Sequence, residues 1–245
     1  MNKVTVAAII IILAAFGGLI AWASFNSGEK TDYSKFDSSS IIEASDENGN
    51  IADHVRGKAD SKVIVVEYAD PQCPGCGSMM PKMHKLYEKY GDRVAFVFRH
   101  FPLSYHQNAR AASAAVESAG KQGYYWEMLE TLYDNQNEWE QIYDTQKRTD
   151  VFTGYFTEVT GGKGDTEKFV SELSSTNIQK KIDFDRNLGK YNDKVEATPS
   201  IHINGTVIDM NSDRPIEDVI EEAINKELKA NGIETGPKKS EETEE

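Results

Sequence analysis

Cys73 and Cys76 flank a Pro-Gly dipeptide, and they are the only two cysteines in 245 residues. A disulfide framework would need more cysteines, and so would a four-cysteine zinc site. A pair at this spacing reads instead as one kept for its own redox chemistry. Two such thiols can close a small disulfide ring and hand it to another thiol pair by exchange. An adventitious disulfide or half a metal site are the competing uses. A metal would need several ligands distant in sequence, since the histidines stand at 54, 84, 100, 106 and 202.

Exchange needs one sulfur that is readily ionised and one that can displace it. The elements around the pair suit that division. Val63 to Tyr68 is a continuous apolar, β-branched run, as expected of a strand buried on both faces. A helix follows from Cys73 to about Tyr90. Met79, Met80, Met83, Leu86, Tyr87 and Tyr90 mark its inner face, while Lys82, Lys85, Glu88 and Lys89 mark the other. Cys73 then stands at a helix N-terminus, where unpaired N–H groups and the macrodipole favour a thiolate. Cys76 lies one turn in and is expected to be the more buried, resolving thiol. Pro74 suits the first turn, because its missing N–H would have no partner there. Pro81 is expected to kink the helix and Gly91 to end it.

A second strand is expected over Val94 to Phe98. A long helical section follows. One helix carries Ala109, Ala112, Ala115, Val116 and Ala119, with Gly120 and Gly123 at its end. Others run through Tyr125 to Tyr133, Phe152 to Val159, Phe169 to Leu173 behind an Asp165 cap, and Ile178 to Leu188, with Gly189 after the last. After Pro199, Ser200 to Ile203 and Thr206 to Asp209 flank Asn204-Gly205, a two-residue hairpin signal. A last amphipathic helix spans about Pro215 to Leu228. The order predicts an α/β fold with a helical insertion.

The ordered set of motifs resembles the thioredoxin superfamily, specifically the DsbA-like thiol–disulfide oxidoreductases. It consists of Val63 to Glu67, Cys73-Pro74-Gly75-Cys76, Pro81, the segment Asn108 to Gln136 with Gly123-Tyr124-Tyr125-Trp126, and Thr198-Pro199 before the hairpin. The resemblance covers roughly residues 53–228. It implies a thioredoxin-like fold with an all-helical insertion at about 105–190. It implies Cys73 as nucleophile, Cys76 as resolving thiol, and a cis Thr198-Pro199 edge that docks a substrate peptide. It also implies a buried acid at Glu67 that exchanges a proton with Cys76; an exposed strand-edge carboxylate is the plainer reading of that residue. No bound cofactor and no metal are needed. Gly75 departs from strongly oxidising relatives, which carry His before the second cysteine, so the thiolate must be held by the turn and helix end alone. The expected activity is oxidation of client thiols. A reductase or isomerase on the same fold is one alternative, and a membrane-tethered chaperone or binding module is another. The resemblance further implies a quinone-linked redox partner in the membrane.

Outside that domain, Val4 to Ala23 is an uncharged stretch long enough to cross a bilayer, with Lys3 before it and Trp22 near its end. Ala21-Trp22-Ala23 also fits a cleaved signal peptide, but the apolar core exceeds the usual signal length. Residues 1–24 are therefore expected to form one N-terminal transmembrane helix. Residues 25–46 would be a flexible tether, 47–230 the domain and 231–245 a disordered acidic tail. A single-pass cell-membrane protein with an extracytoplasmic catalytic domain follows. The net charge of −13 argues against nucleic-acid binding. Asp46 to Asn50 with Asp53 faintly suggests a calcium loop, and a solvated turn explains it better. His100 and His106 could approach the cysteines but read as surface histidines. Asn204-Gly205-Thr206 is formally a glycosylation acceptor, which the hairpin already explains. Met79, Met80 and Met83 read as core.

Overall fold

The computed structural model describes residues 31–235. A mixed five-stranded sheet has the order β1-β3-β2-β4-β5. Its strands are β1 (Val55–Gly57), β2 (Ile64–Ala69), β3 (Ala95–His100), β4 (Ser200–Ile203) and β5 (Thr206–Val207). β2 and β3 run parallel, and β4 is antiparallel to β2. Helix α1 (Pro74–Tyr90) makes the crossover between β2 and β3. It is continuous through Pro81.

Alternation along the central strands sorts two apolar layers. Val65, Phe96, Ile201 and Ile203 pack against the Met79, Met83, Leu86 and Tyr90 stripe of α1. The final helix α8 (Ile216–Ala230) adds Ile220, Ile224 and Leu228 to the same layer. Val66, Tyr68 and Val97 face the other side. The hairpin turn has positive φ at both Asn204 and Gly205, the geometry that favours this dipeptide. The Asn204 side chain also accepts from the Ile64 N–H and donates to the Lys62 carbonyl. That side chain is therefore a structural fastener.

The insertion comprises α2 (Ala109–Gly120), α3 (Tyr125–Asp134), α4 (Gln136–Trp139), α5 (Thr145–Val159), α6 (Thr166–Glu172) and α7 (Thr176–Tyr191). Small side chains Ala112, Ala115 and Ala119 let α2 approach its neighbours, and Leu129, Leu132, Trp139, Phe152, Phe156 and Phe169 fill the core around it. Asp144, Asp165 and Ser175 cap α5, α6 and α7 by accepting backbone N–H bonds. Gly189 lies inside α7 and does not end it. A Cβ there would meet the Tyr68 ring at 2.8 Å, so glycine is required by close packing.

Three expectations are corrected here. The tether does not extend to residue 46: the compact unit begins at Tyr33. Tyr33 and Phe36 pack on Phe184, Ile42 is buried, and the Ser38 and Ser40 carbonyls accept from Arg99. The tail begins later than 231, because Ile233 packs on the α1–α8 layer. His100 is fully buried. The transmembrane segment expected over residues 1–24 lies outside the described residues. Among the described residues no helix is long and apolar enough to cross a membrane.

A buried ionic cluster ties the N-terminal segment, β3 and α7 together. Asp53 accepts from Arg99 at 2.7 Å and from Lys181 at 2.8 Å, and Lys181 also reaches Asp185 at 2.8 Å. Burial opposes the Asp53 charge, yet the two cations hold its carboxyl well below the usual range. Asp53 also accepts the Ile42 N–H. Its oxygens are thus committed to the domain. The neighbouring 46–50 segment is a turn in which Asn48 caps the Ser45 N–H and Asn50 bonds Asp46.

Candidate active site

Strand β2 ends at Ala69, and Asp70-Pro71-Gln72 carries the chain to Cys73. Cys73 is the N-cap of α1, with extended backbone angles and Pro74 in the first turn. Both sulfurs are free thiols. Cys73 is 8% exposed and Cys76 1%. The Cys73 thiol donates to the Thr198 carbonyl at 3.5 Å. The Thr198–Pro199 peptide bond is cis. An added Cβ at Gly75 would meet the Pro199 ring at 3.4 Å and the Cys73 sulfur at 3.6 Å. The motif and the proline loop, more than a hundred residues apart, therefore form one surface. Gly75, Met79, Thr198, Pro199 and Ser200 lie along an open groove of about 860 Å³.

The two sulfurs differ electrostatically. A hydrogen bond from the Cys76 thiol is the largest influence on Cys73, and the Thr198 side chain and the N–H groups of Cys76 and Gly75 add to it. They outweigh partial burial and lower the Cys73 pKa to about 5. The buried Thr198 hydroxyl has no hydrogen-bond partner in the fold, which leaves its proton free to turn toward the sulfur. Stabilisation thus reaches the sulfur without a histidine at position 75. Burial pushes Cys76 well above the usual thiol range, and the nearby Cys73 and Glu67 charges push it further. One sulfur is ionised at neutral pH and the other holds its proton. Carboxymethylation of the reduced protein should therefore show a single reactive cysteine, Cys73, whose rate rises through a midpoint near pH 5 and is level at neutrality. A midpoint above pH 8 would contradict this arrangement.

Glu67 is buried in the middle of β2, opposite Phe98 and Ile201. Its Oε2 has no hydrogen-bond partner. Burial raises its pKa to about 8, so the carboxyl is mostly neutral at pH 7. It is close enough to Cys76 for its charge to affect that thiol. A buried, protonated acid beside a buried thiol can give and recover a proton.

Several residues at the site had no sequence signal, and His106, expected at the surface, is corrected to a mostly buried partner of one of them. Asp70 is buried; its carboxylate accepts from the N–H groups of Gln72 and Leu103, while His106 Nδ1 lies 2.8 Å away. Its own N–H donates to the Cys76 sulfur at 3.5 Å, and its carbonyl accepts from Cys73 N–H and Tyr133. Gln136, on α4 of the insertion, donates to the carbonyls of Pro71 and Cys73 at 2.8 and 3.1 Å. Asn108 and Gln72 join this framework to the Glu140 carbonyl. The insertion thus grips the cysteine turn from behind. His106 belongs to this support, whereas His100 pairs with Glu117 deeper in the fold at 3.1 Å. Among the described residues no group of three or more His, Cys, Asp or Glu side chains is placed to hold a metal ion.

The family model described as thioredoxin matches residues 49–236. The chain belongs to the thioredoxin family. BdbD of Bacillus subtilis, in its oxidised crystal structure, superposes with a TM-score of 0.59 at 28% identity, covering 78% of this chain and 98% of that one. The α-DsbA1 of Wolbachia pipientis shares the fold at a TM-score of 0.57 and 23% identity, over 74% of this chain and 93% of that one. Among curated sequences, a Na(+)/H(+) antiporter NhaA 1 of Mycolicibacterium vanbaalenii is 33% identical over 158 residues. That stretch is 62% of this chain and 23% of the antiporter, so the chain matches only a minor part of that relative. The fold is DsbA-like, with the helical insertion in place. With a dithiol at the helix N-terminus, the protein is a thiol–disulfide oxidoreductase.

Proposed function

We propose that the protein oxidises the thiols of client proteins outside the cytoplasm, with Cys73 as the exchanging sulfur and Cys76 as the resolving one. A client thiolate attacks the Cys73 sulfur of the enzyme disulfide. The client–Cys73 bond forms, the Cys73–Cys76 bond breaks, and its electron pair goes to the Cys76 sulfur, which takes a proton from Glu67. A second client thiolate then attacks the client sulfur. Cys73 leaves as a thiolate, the client gains a disulfide, and the enzyme holds the two electrons. Thr198 and Pro199 line the groove in which the client backbone would lie.

The observation that carries this direction is the lowered Cys73 pKa. A thiolate held by fixed donors stabilises the reduced enzyme, and a stabilised reduced form makes the disulfide a strong oxidant. The uncharged stretch from Val4 to Ala23 supports a membrane anchor, which would place this chemistry where disulfides persist. A quinone-linked membrane partner would restore the disulfide, as the family resemblance suggests. Equilibration of the purified domain with glutathione buffers tests the direction. The expected potential is more positive than about −200 mV; a value near −270 mV would place the protein with the reductases.

A further inference from the structure

The pocket beside the docking groove carries an unpartnered cation. Arg186 and Lys190, one turn apart on α7, converge there with Lys194, and Phe101, Leu103 and Tyr105 form the opposing wall. Lys194, Val195 and Glu196 line both this pocket and the groove at Pro199, so the two adjoin along that segment. Each of the other six arginines bonds an acid or another oxygen: Arg56 to Glu130, Arg93 to the Lys89 carbonyl, Arg99 to Asp53, Arg110 to Asp183, Arg148 to Asn108 and Arg214 to Glu222. Arg186, half-buried, has neither a hydrogen bond nor an ion pair among the described residues. Lys190 stacks over Tyr191 and Lys194 bonds only the Tyr191 carbonyl. Glu196 is the sole acid of the lining. In a chain of net charge −13 this is a local positive site beside the groove that Gly75 and Pro199 line, a groove whose own acids are Asp193, Glu196 and Asp209.

We infer that this pocket is a subsite for carboxylates of the client polypeptide, selecting cysteines with Asp or Glu nearby in sequence. The inference rests on the exchange reading above. A half-buried guanidinium without a partner offers a fork that matches a carboxylate bidentately. Like charge elsewhere on the acidic surface repels an acidic client, so the pocket steers it toward this face. Lys194 precedes Pro199 by five residues, with Lys194 itself at positive φ; since about 3.3 Å per residue is the most a chain can span, the favoured acid lies within about five residues of the client cysteine. Exposed Tyr105 and Tyr191, at 71% and 52%, supply apolar rims for the intervening residues.

The test compares oxidation of dithiol peptides that carry Glu-Glu, Gln-Gln or Lys-Lys four residues from the first cysteine, on either side. The Glu-Glu peptide on one side should be preferred in kcat/KM over Gln-Gln by about fivefold or more, through KM, and the preference should fade in high salt. Arg186→Gln and, separately, the exposed Lys190→Gln should collapse that ratio, and Arg186→Glu should turn it toward Lys-Lys. Lys163→Gln, the same charge change outside the pocket, should leave it. Equal kcat/KM for Glu-Glu and Gln-Gln on both sides, or a preference that survives Arg186→Gln, overturns the inference. Fluorescence anisotropy of the labelled peptides on Cys73→Ser protein reads the pocket without turnover. If no peptide is oxidised, the exchange reading fails while this binding still decides on the pocket. Capture of phosphatidylglycerol vesicles by the same residues, with no selective binding of the acidic peptides, would make the pocket a lipid site and also overturn it.

Discussion

Cys73→Ser is expected to abolish thiol oxidation, by about a thousandfold or more, because nothing else at the site can accept the attack. Cys76→Ala is expected to fail differently. The Cys73 thiolate would still form, since the Thr198 side chain and the N–H groups of Cys76 and Gly75 still face the sulfur. It would lose its largest stabilising hydrogen bond, the one from the Cys76 thiol, so its pKa should rise from about 5. Given an oxidised client, this thiolate would form a mixed disulfide that has no internal thiol to release it. Non-reducing electrophoresis and mass spectrometry would then show client covalently attached to Cys73. The asymmetry follows from accessibility as well as charge, because Cys73 keeps some exposure at the helix N-terminus while Cys76 has almost none. A tethered binding module with an ornamental disulfide predicts the reverse: Cys73→Ser would retain its effect on a client and Cys76→Ala would trap nothing. Either result would sink the exchange reading.

The parts of this site that could be read from the sequence are those built from neighbours in the chain. The apolar run before the cysteines, the helical stripe Met79, Met83, Leu86 and Tyr90, and the Asn204-Gly205 turn all express a local periodicity or a backbone preference. The proline loop was legible only through resemblance, because nothing in residues 193–200 says that they return to position 73. The framework behind the cysteines was not legible. Asp70, His106, Asn108 and Gln136 are polar residues whose tertiary partners lie 31 to 65 residues away, and an isolated polar residue reads as solvated surface until its partner is known. The Asp53, Arg99 and Lys181 cluster was hidden for the same reason. It also explains the tether: Ser38 and Ser40 contribute backbone carbonyls to Arg99, which no side-chain pattern reports. Strand β1 and helix α4 were missed because three and four residues are too few to show a period.

Glu67→Gln is expected to stabilise the protein and to slow it. Burial has raised the carboxyl from 4.5 to about 8. Below pH 4.5 the acid is protonated whether the chain is folded or not, and it has no effect on stability. Between 4.5 and 8 the unfolded chain ionises while the folded one keeps its proton, so stability falls as pH rises, and the loss levels off above 8. At pH 7 the loss is about 3 kcal/mol. The glutamine keeps the shape without the charge and should recover about 1–3 kcal/mol at pH 7, or about 3–10 °C in Tm, with no gain at pH 4. The same change removes the proton that Cys76 takes when the disulfide opens. Reduction of the enzyme disulfide by a client dithiol should then slow by about tenfold or more at pH 7. Thermal denaturation at the two pH values and stopped-flow reduction separate the two effects. A slower enzyme with no gain in stability would mean that Glu67 is ionised in the fold and acts by charge alone. A more stable enzyme with unchanged rates would mean that water reaches Cys76 directly. The expected combination ties the destabilising acid to its use: a carboxyl kept in the centre of a strand, with one oxygen unbonded, costs the fold and serves the sulfur beside it.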